Sequence, residues 1–148
     1  MQKFANDPDP RRLLCFNVYA AHHAFNRFYQ PLLEPLGLTY PQFLVMIALH
    51  RQDGRGVGSL AEELMLETNT LSPLLKRIEG MGLITRRRSQ EDERRVDVFL
   101  TDQGRDLAVR AAEIPDCIAE CFDGNETTYR MMINALTNLR QMLAKPEE

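Results

Sequence analysis

Leu74-Leu75-Lys76-Arg77-Ile78-Glu79-Gly80-Met81-Gly82-Leu83-Ile84-Thr85-Arg86 changes its period halfway along. Up to the glycines, Leu71, Leu74, Leu75 and Ile78 recur at helical spacing, which predicts a helix from about Thr70 to Met81 with those residues facing inward. Gly80 and Gly82 end it. Beyond them Leu83–Ser89 reads as a strand, and Val96–Leu100 as a second that alternates Val96, Val98 and Leu100 against Asp97 and Phe99. The tract Gln90-Glu91-Asp92-Glu93-Arg94 between the strands is a charged hairpin tip.

Working upstream, Ser59 is expected to cap a short helix, Leu60–Leu66, with Glu62 at its third position as in a capping box. Glu67-Thr68-Asn69 then forms the turn into the next helix. Gln52–Gly58, rich in glycine, reads as a connector. Thr39-Tyr40-Pro41 starts a helix whose inward residues are Phe43, Leu44, Ile47 and Ala48. Before it, apolar residues from Leu14 to Tyr29 predict a helix over Arg12–Tyr29, which Pro31 and Pro35 disturb or end and Gly37 closes. Residues 1–10 read as a loose arm. Downstream, Thr101 or Asp102 caps a helix to about Ile114, Pro115 breaks it, and Asp116–Phe122 resumes it. A last helix runs over Glu126–Ala144. The fold class is mainly α with a small β-hairpin, in one domain over 1–148. A winged helix-turn-helix occupies about 39–101, and helical segments at about 12–35 and 102–145 flank it.

Composition narrows the function classes. The 148 residues are 44% hydrophobic and 26% charged, the mix of a soluble globular protein. No apolar run approaches the ~20 residues of a membrane span, and a basic-then-apolar leader is not seen, so the cytoplasm is the expected location. Three cysteines make an odd count, without CxxC or zinc-site spacing. His22 and His23 diverge by about 100° on a helix and cannot chelate one ion together. Neither metal nor cofactor is expected. The net charge of -3 hides an asymmetry, because Lys76–Arg95 holds seven basic and four acidic residues, leaving -6 on the remainder. A local basic patch on an acidic chain is an electrostatic footprint confined to one surface.

Two short helices joined by a tight turn and followed by a charged hairpin place the second helix in a DNA major groove. Thr68, Asn69, Thr70 and Ser72 can reach base edges or phosphates, and Lys76, Arg77, Arg86 and Arg95 can neutralise backbone charge. Arg94 at the tip suits a narrow minor groove, with Asp92 placed to hold its guanidinium.

The same stretch, continued into Asp92-Glu93-Arg94-Arg95 and Leu100-Thr101-Asp102-Gln103-Gly104, resembles the recognition helix and wing of MarR-family repressors. The resemblance implies a homodimer on palindromic double-stranded operator DNA, with first and last helices forming the dimerisation region. Tyr129, Met132, Ile133, Leu136, Leu139 and Leu143 supply an apolar stripe for it. Leu14-Cys15-Phe16 with Tyr19, and Tyr29-Gln30-Pro31-Leu32-Leu33-Glu34-Pro35-Leu36-Gly37-Leu38-Thr39-Tyr40-Pro41-Gln42, are similar to the organic-hydroperoxide-responsive branch, the OhrR regulators. That resemblance implies an organic hydroperoxide as inducer and Cys15 as the redox-sensing residue. It further implies hydrogen bonds from Tyr29 and Tyr40 to the thiolate, Tyr19 nearby, and a resolving cysteine late in the partner chain. Cys117 fits that last role, with Cys121 the alternative.

The residues themselves suit such chemistry. A thiolate attacks a peroxide O–O bond, and Cys15 falls in a first helical turn, where the dipole favours an anion. Arg11 and Arg12 precede it by one turn. Fourteen residues separate Cys15 from Tyr29, about 21 Å along a helix, so the two can meet only across a dimer interface. Phe16, Phe25, Phe28, Phe43 and Met46 would form an apolar wall suited to an alkyl hydroperoxide. Release by a small phenolic ligand is the alternative input. A thiol peroxidase would share Cys15 but leaves the recognition helix and wing unexplained, so no enzyme is expected.

Overall fold

The computed structural model describes residues 9–144. Its helices are α1 (Leu14–Leu33), α2 (Tyr40–Arg51), α3 (Val57–Leu64), α4 (Thr68–Gly80), α5 (Asp102–Ala111), α6 (Ile114–Glu120) and α7 (Glu126–Leu143). The strands are β1 (Arg55–Gly56), β2 (Ile84–Arg88) and β3 (Val96–Leu100). The chain divides into two compact units, residues 1–111 and 112–148. Most of the loose arm expected over residues 1–10 lies outside the described residues; its end, Pro10–Arg12, is one 3-10 turn.

In the first unit, α2 to β3 enclose the core. Met46, Leu49, Leu60, Leu71, Leu75, Ile78 and Val98 are all fully buried, each side chain worth roughly 1.5–3 kcal/mol of transfer free energy. Leu44, Ile47 and Leu74, expected inward, are only half-buried, because Val45, Met46 and Leu49 take the interior of α2. Thr39 precedes α2 and its N–H donates to Gln42 Oε1 at 2.9 Å, so the buried Gln42 amide holds the helix start.

Four local expectations need correction. Gln52–Gly58 is not only a connector, since Arg55–Gly56 forms β1 and pairs antiparallel with β3, giving the sheet order β1-β3-β2. Two residues carry too little pattern to announce a strand. Second, Ser59 does not cap α3, which starts at Val57; its hydroxyl instead accepts from Arg55 Nη2 at 2.6 Å. Third, α4 begins at Thr68, because the turn is tightened by Met65 in the left-handed region at φ 53. Fourth, α1 runs through Pro31 to Leu33 and yields to a 3-10 turn, Glu34–Leu36.

The wing is anchored at its base. In the β2–β3 ladder Ile84 lies opposite Leu100 and Arg88 opposite Val96. Asp53 Oδ1 accepts from Leu100 N–H at 2.8 Å, and Oδ2 pairs with Arg105 of α5 at 3.0 Å. Thr101 caps α5, accepting from Gly104 N–H at 3.0 Å while donating to Gly82 O at 2.7 Å. A Cβ at Gly104 would sit 1.9 Å from Leu83 O, so only glycine lets α5 reach the backbone before β2. α5 stops at Ala111, short of the expected Ile114.

In the second unit Pro115 occupies the first turn of α6, and Asn125 caps α7 by accepting from Thr128 N–H at 3.0 Å. No residue of α7 is buried.

Candidate DNA interface and thiol site

One end of the first unit combines α4 and the wing. Thr68, Asn69 and Thr70 occupy the first turn of α4 and are exposed, as are Lys76 and Arg77 further along. The Ser72 hydroxyl is half-buried and donates to Thr68 O at 2.8 Å, so it is turned into its own helix. Arg86 also differs from its expected role. Its Nε and Nη2 donate to Glu79 Oε2 at 3.0 and 2.7 Å, and its N–H donates to Glu79 Oε1 at 3.0 Å. This arginine buttresses the wing against α4, and its guanidinium holds the Glu79 carboxyl below the usual range. Both the charge and the geometry of Arg86 are already engaged.

At the hairpin tip the Arg94 side chain is 94% exposed. Asp92 Oδ1 accepts from the Arg94 N–H at 3.0 Å and lies 3.5 Å from its Nε. The tip is closed by Arg95, whose carbonyl accepts from Ser89 N–H at 2.9 Å. Between the first turn of α4 and the wing lies a cleft of ≈ 410 Å³, lined by Gly58, Thr68, Ser72, Arg86, Arg94 and Arg95. Arginines and an exposed polar helix start share this surface, the composition of a nucleic-acid interface.

The thiol region is built on α1. Cys15 is the second residue of that helix and is exposed. Arg11, one turn before it, is bonded to Asp9, Nη2 to Oδ2 at 2.8 Å and Nε to Oδ1 at 2.9 Å. That bond holds the Asp9 carboxyl below its usual range. Tyr19, one turn after Cys15, packs edge-on to His23 at 4.4 Å. Tyr29 and Tyr40 come together at the other end of α1, their rings 4.9 Å apart and inclined by 68°. Burial pushes the Tyr40 phenol up, so it keeps its proton and can act as a donor. Within the chain, then, the four thiol-site residues fall into two groups, Cys15 with Tyr19 and Tyr29 with Tyr40. The expected apolar wall is divided too: Phe43 and Met46 are core, whereas Phe16 and Phe25 are exposed. In the second unit, Cys117 on α6 is half-buried and Cys121 just after it is exposed. Among the described residues no His, Cys, Asp and Glu group could hold a metal ion.

Sequence reasoning counted Arg87 and Arg88 in the basic stretch but gave neither a role; both are exposed on β2. Strand alternation was the signal that could have found them, because it separates Arg87 from its two neighbours.

The fold and this surface define a winged-helix DNA-binding transcriptional regulator. Residues 27–110 match the family described as transcriptional regulator SarA/Rot. The chain is 41% identical over 138 residues to the HTH-type transcriptional regulator TtmR of Methylorubrum extorquens, covering 91% of this chain and 71% of the relative. It is 39% identical over 130 residues to the organic hydroperoxide resistance transcriptional regulator of Bacillus subtilis, covering 88% of each. Among solved structures, reduced AbfR bound to DNA superposes with a TM-score of 0.76 at 32% identity, over 88% of this chain and 92% of that one. AbfR, from Staphylococcus epidermidis, has also been solved in a disulfide form. The chain belongs to the SarA/Rot/MarR-type family of transcriptional regulators, and its relatives are regulators, not enzymes.

Proposed function

We propose that this protein is a homodimeric repressor that releases its operator when an organic hydroperoxide oxidises Cys15. The observation that carries the reading is the placement of Cys15, exposed in the first turn of α1 and one turn from Tyr19. Similarity to the Bacillus organic hydroperoxide regulator and to AbfR, solved reduced and as a disulfide, supports it. The Cys15 thiolate attacks one peroxide oxygen, the O–O bond breaks, and the alkoxide leaves with a proton as alcohol; sulfur is oxidised to the sulfenic acid. A thiol of the partner chain, Cys117 or else Cys121, then attacks that sulfur. A disulfide forms and water departs. In the dimer, Tyr29 and Tyr40 of one chain donate toward Cys15 of the other, which reconciles the ~21 Å between Cys15 and Tyr29 along α1 with a shared site.

On DNA, the first turn of α4 (Thr68, Asn69, Thr70) reads the major groove, Lys76 and Arg77 meet phosphates, and Arg94 enters the minor groove. Two such heads related by a two-fold axis require a palindromic operator.

The test is operator release followed by gel shift under cumene hydroperoxide. Wild type lets go and shows a crosslink at twice the monomer mass on non-reducing gels, whereas Cys15→Ser binds normally and stays bound. A Cys15→Ser protein that releases like the wild type overturns the oxidation reading, and release by salicylate without peroxide then favours a phenolic ligand.

A further inference from the structure

Three arginines in a row on β2 do three different things. Arg86 is locked to Glu79. Arg88 shares its face of the ladder, opposite Val96, and is exposed. Arg87 lies on the opposite face, directly across from Asp97. A cross-strand carboxylate is the ordinary partner for such a guanidinium. Arg87 does not take it. Instead its guanidinium carbon lies over the Phe99 ring, 5.6 Å from the centroid, on the diagonal of the ladder. Among the described residues no carboxylate comes within 4.0 Å of it.

The ring's own position is built in. Gly54 has φ +70, and a Cβ there would meet Phe99 Cε1 at 2.8 Å, so glycine makes the room in which the ring lies. Contact with a ring face uses up none of the guanidinium's five N–H donors in ordinary hydrogen bonds. Arg87, Arg88 and Arg95 line a cleft of ≈ 440 Å³ together with Glu91 and Asp97.

We infer that Arg87, held on Phe99, is a preset contact for a phosphodiester of the DNA backbone, on the Asp97 face of the wing. A hairpin entering a minor groove has a sugar-phosphate wall on each side. Arg87, on the Asp97 face of the ladder, presents a cation to one of those walls, with Arg94 at the tip. The contact with the ring lowers the cost of ordering a long side chain before DNA arrives. The inference rests on DNA binding alone and is independent of Cys15.

Phosphate contacts are blind to sequence, so the probe is a fluorescent mixed-sequence 40-bp duplex titrated with the full reduced chain across a salt series. Each phosphate contact contributes about 0.9 to the slope of log K against log salt, or roughly an 8-fold affinity change at 0.1 M. Arg87→Gln, an exposed substitution that leaves the hydrophobic core intact, is expected to lower the slope by about that amount per contacting wing. Arg87→Lys is expected to keep the slope, and Phe99→Leu to keep it while weakening affinity severalfold. Arg86→Gln is expected to leave the slope alone and lower the melting temperature. An unchanged slope in Arg87→Gln, with its circular dichroism intact, overturns the inference, as does an equal loss of slope in Arg87→Lys.

Discussion

The head that carries α4 and the wing and the long helices α1 and α7 obey opposite rules. In the head, Leu60, Leu71, Leu75, Ile78 and Val98 are fully buried, and polar groups such as Asp53 and Glu79 are matched by specific donors. On α7, Met131, Met132, Ile133, Leu136, Met142 and Leu143 are between 47% and 78% exposed. On α1 only Tyr29 and Leu33 are buried, while Leu14, Val18 and Tyr19 lie open. A close-packed head is finished within one chain, whereas exposed apolar stripes are of the kind that interfaces use. The lesson is that the head is stabilised by residues of its own, while α1 and α7 bury few of theirs.

The harshest way to break the comparison is Gly104→Ala. The added Cβ cannot coexist with Leu83 O at 1.9 Å, so α5 must separate from the base of the wing. A loss of more than about 4 kcal/mol is expected in urea unfolding. A milder loss would mean that the head is less tightly joined to α5 than its geometry states.

A paired truncation sharpens the contrast. Leu75→Ala opens a cavity in the head and is expected to cost about 2–5 kcal/mol at every protein concentration. Leu136→Ala removes an exposed group, and in a lone chain it costs less than about 0.5 kcal/mol. If α7 is covered by a second copy, sedimentation gives a dimer at micromolar concentration, and the Leu136→Ala melting temperature falls more steeply on dilution than that of the wild type. Concentration-independent melting with a monomer in sedimentation would leave these helices unpartnered.

The smallest expected effect lies within the head. Glu79→Gln weakens the buttress to Arg86, and because the pair is about one-third exposed, the loss is at most about 1 kcal/mol at neutral pH. The sign follows from the depressed carboxyl of Glu79. Its stabilisation is present above the ordinary carboxylate value of 4.5 and disappears as pH falls through the lower folded value. Melting curves of wild type and variant should therefore converge in acid and separate near neutrality.

Much of this was legible without coordinates. The apolar spacing of Leu71, Leu75 and Ile78, the glycines at 80 and 82 and the alternation of Val98 and Leu100 announce a helix followed by a hairpin, because periods of 3.6 and 2 are local properties of backbone geometry. The recognition helix, the wing and the stop before β2 all follow from them. Two-residue β1 was not legible, because a strand of that length has no period and exists only through its pairing with β3. Nor was the start of α3, since Arg55 draws the hydroxyl of Ser59 away from capping.

The candidate sites divide in the same way. By itself the sequence determined that Cys15 opens a helix, that a basic hairpin follows α4, and that Tyr29 lies too far along α1 to reach Cys15 in the same chain. Those conclusions need only residue type and rise per residue. Tertiary structure alone decided which arginines are available. Arg86, Arg87 and Arg88 are identical in chemistry and adjacent in sequence, yet one is bonded to Glu79, one lies over the Phe99 ring and one is exposed. Alternation assigns neighbours to opposite faces, but what waits on each face comes from residues up to 33 positions away, such as Gly54, and only folding brings them together.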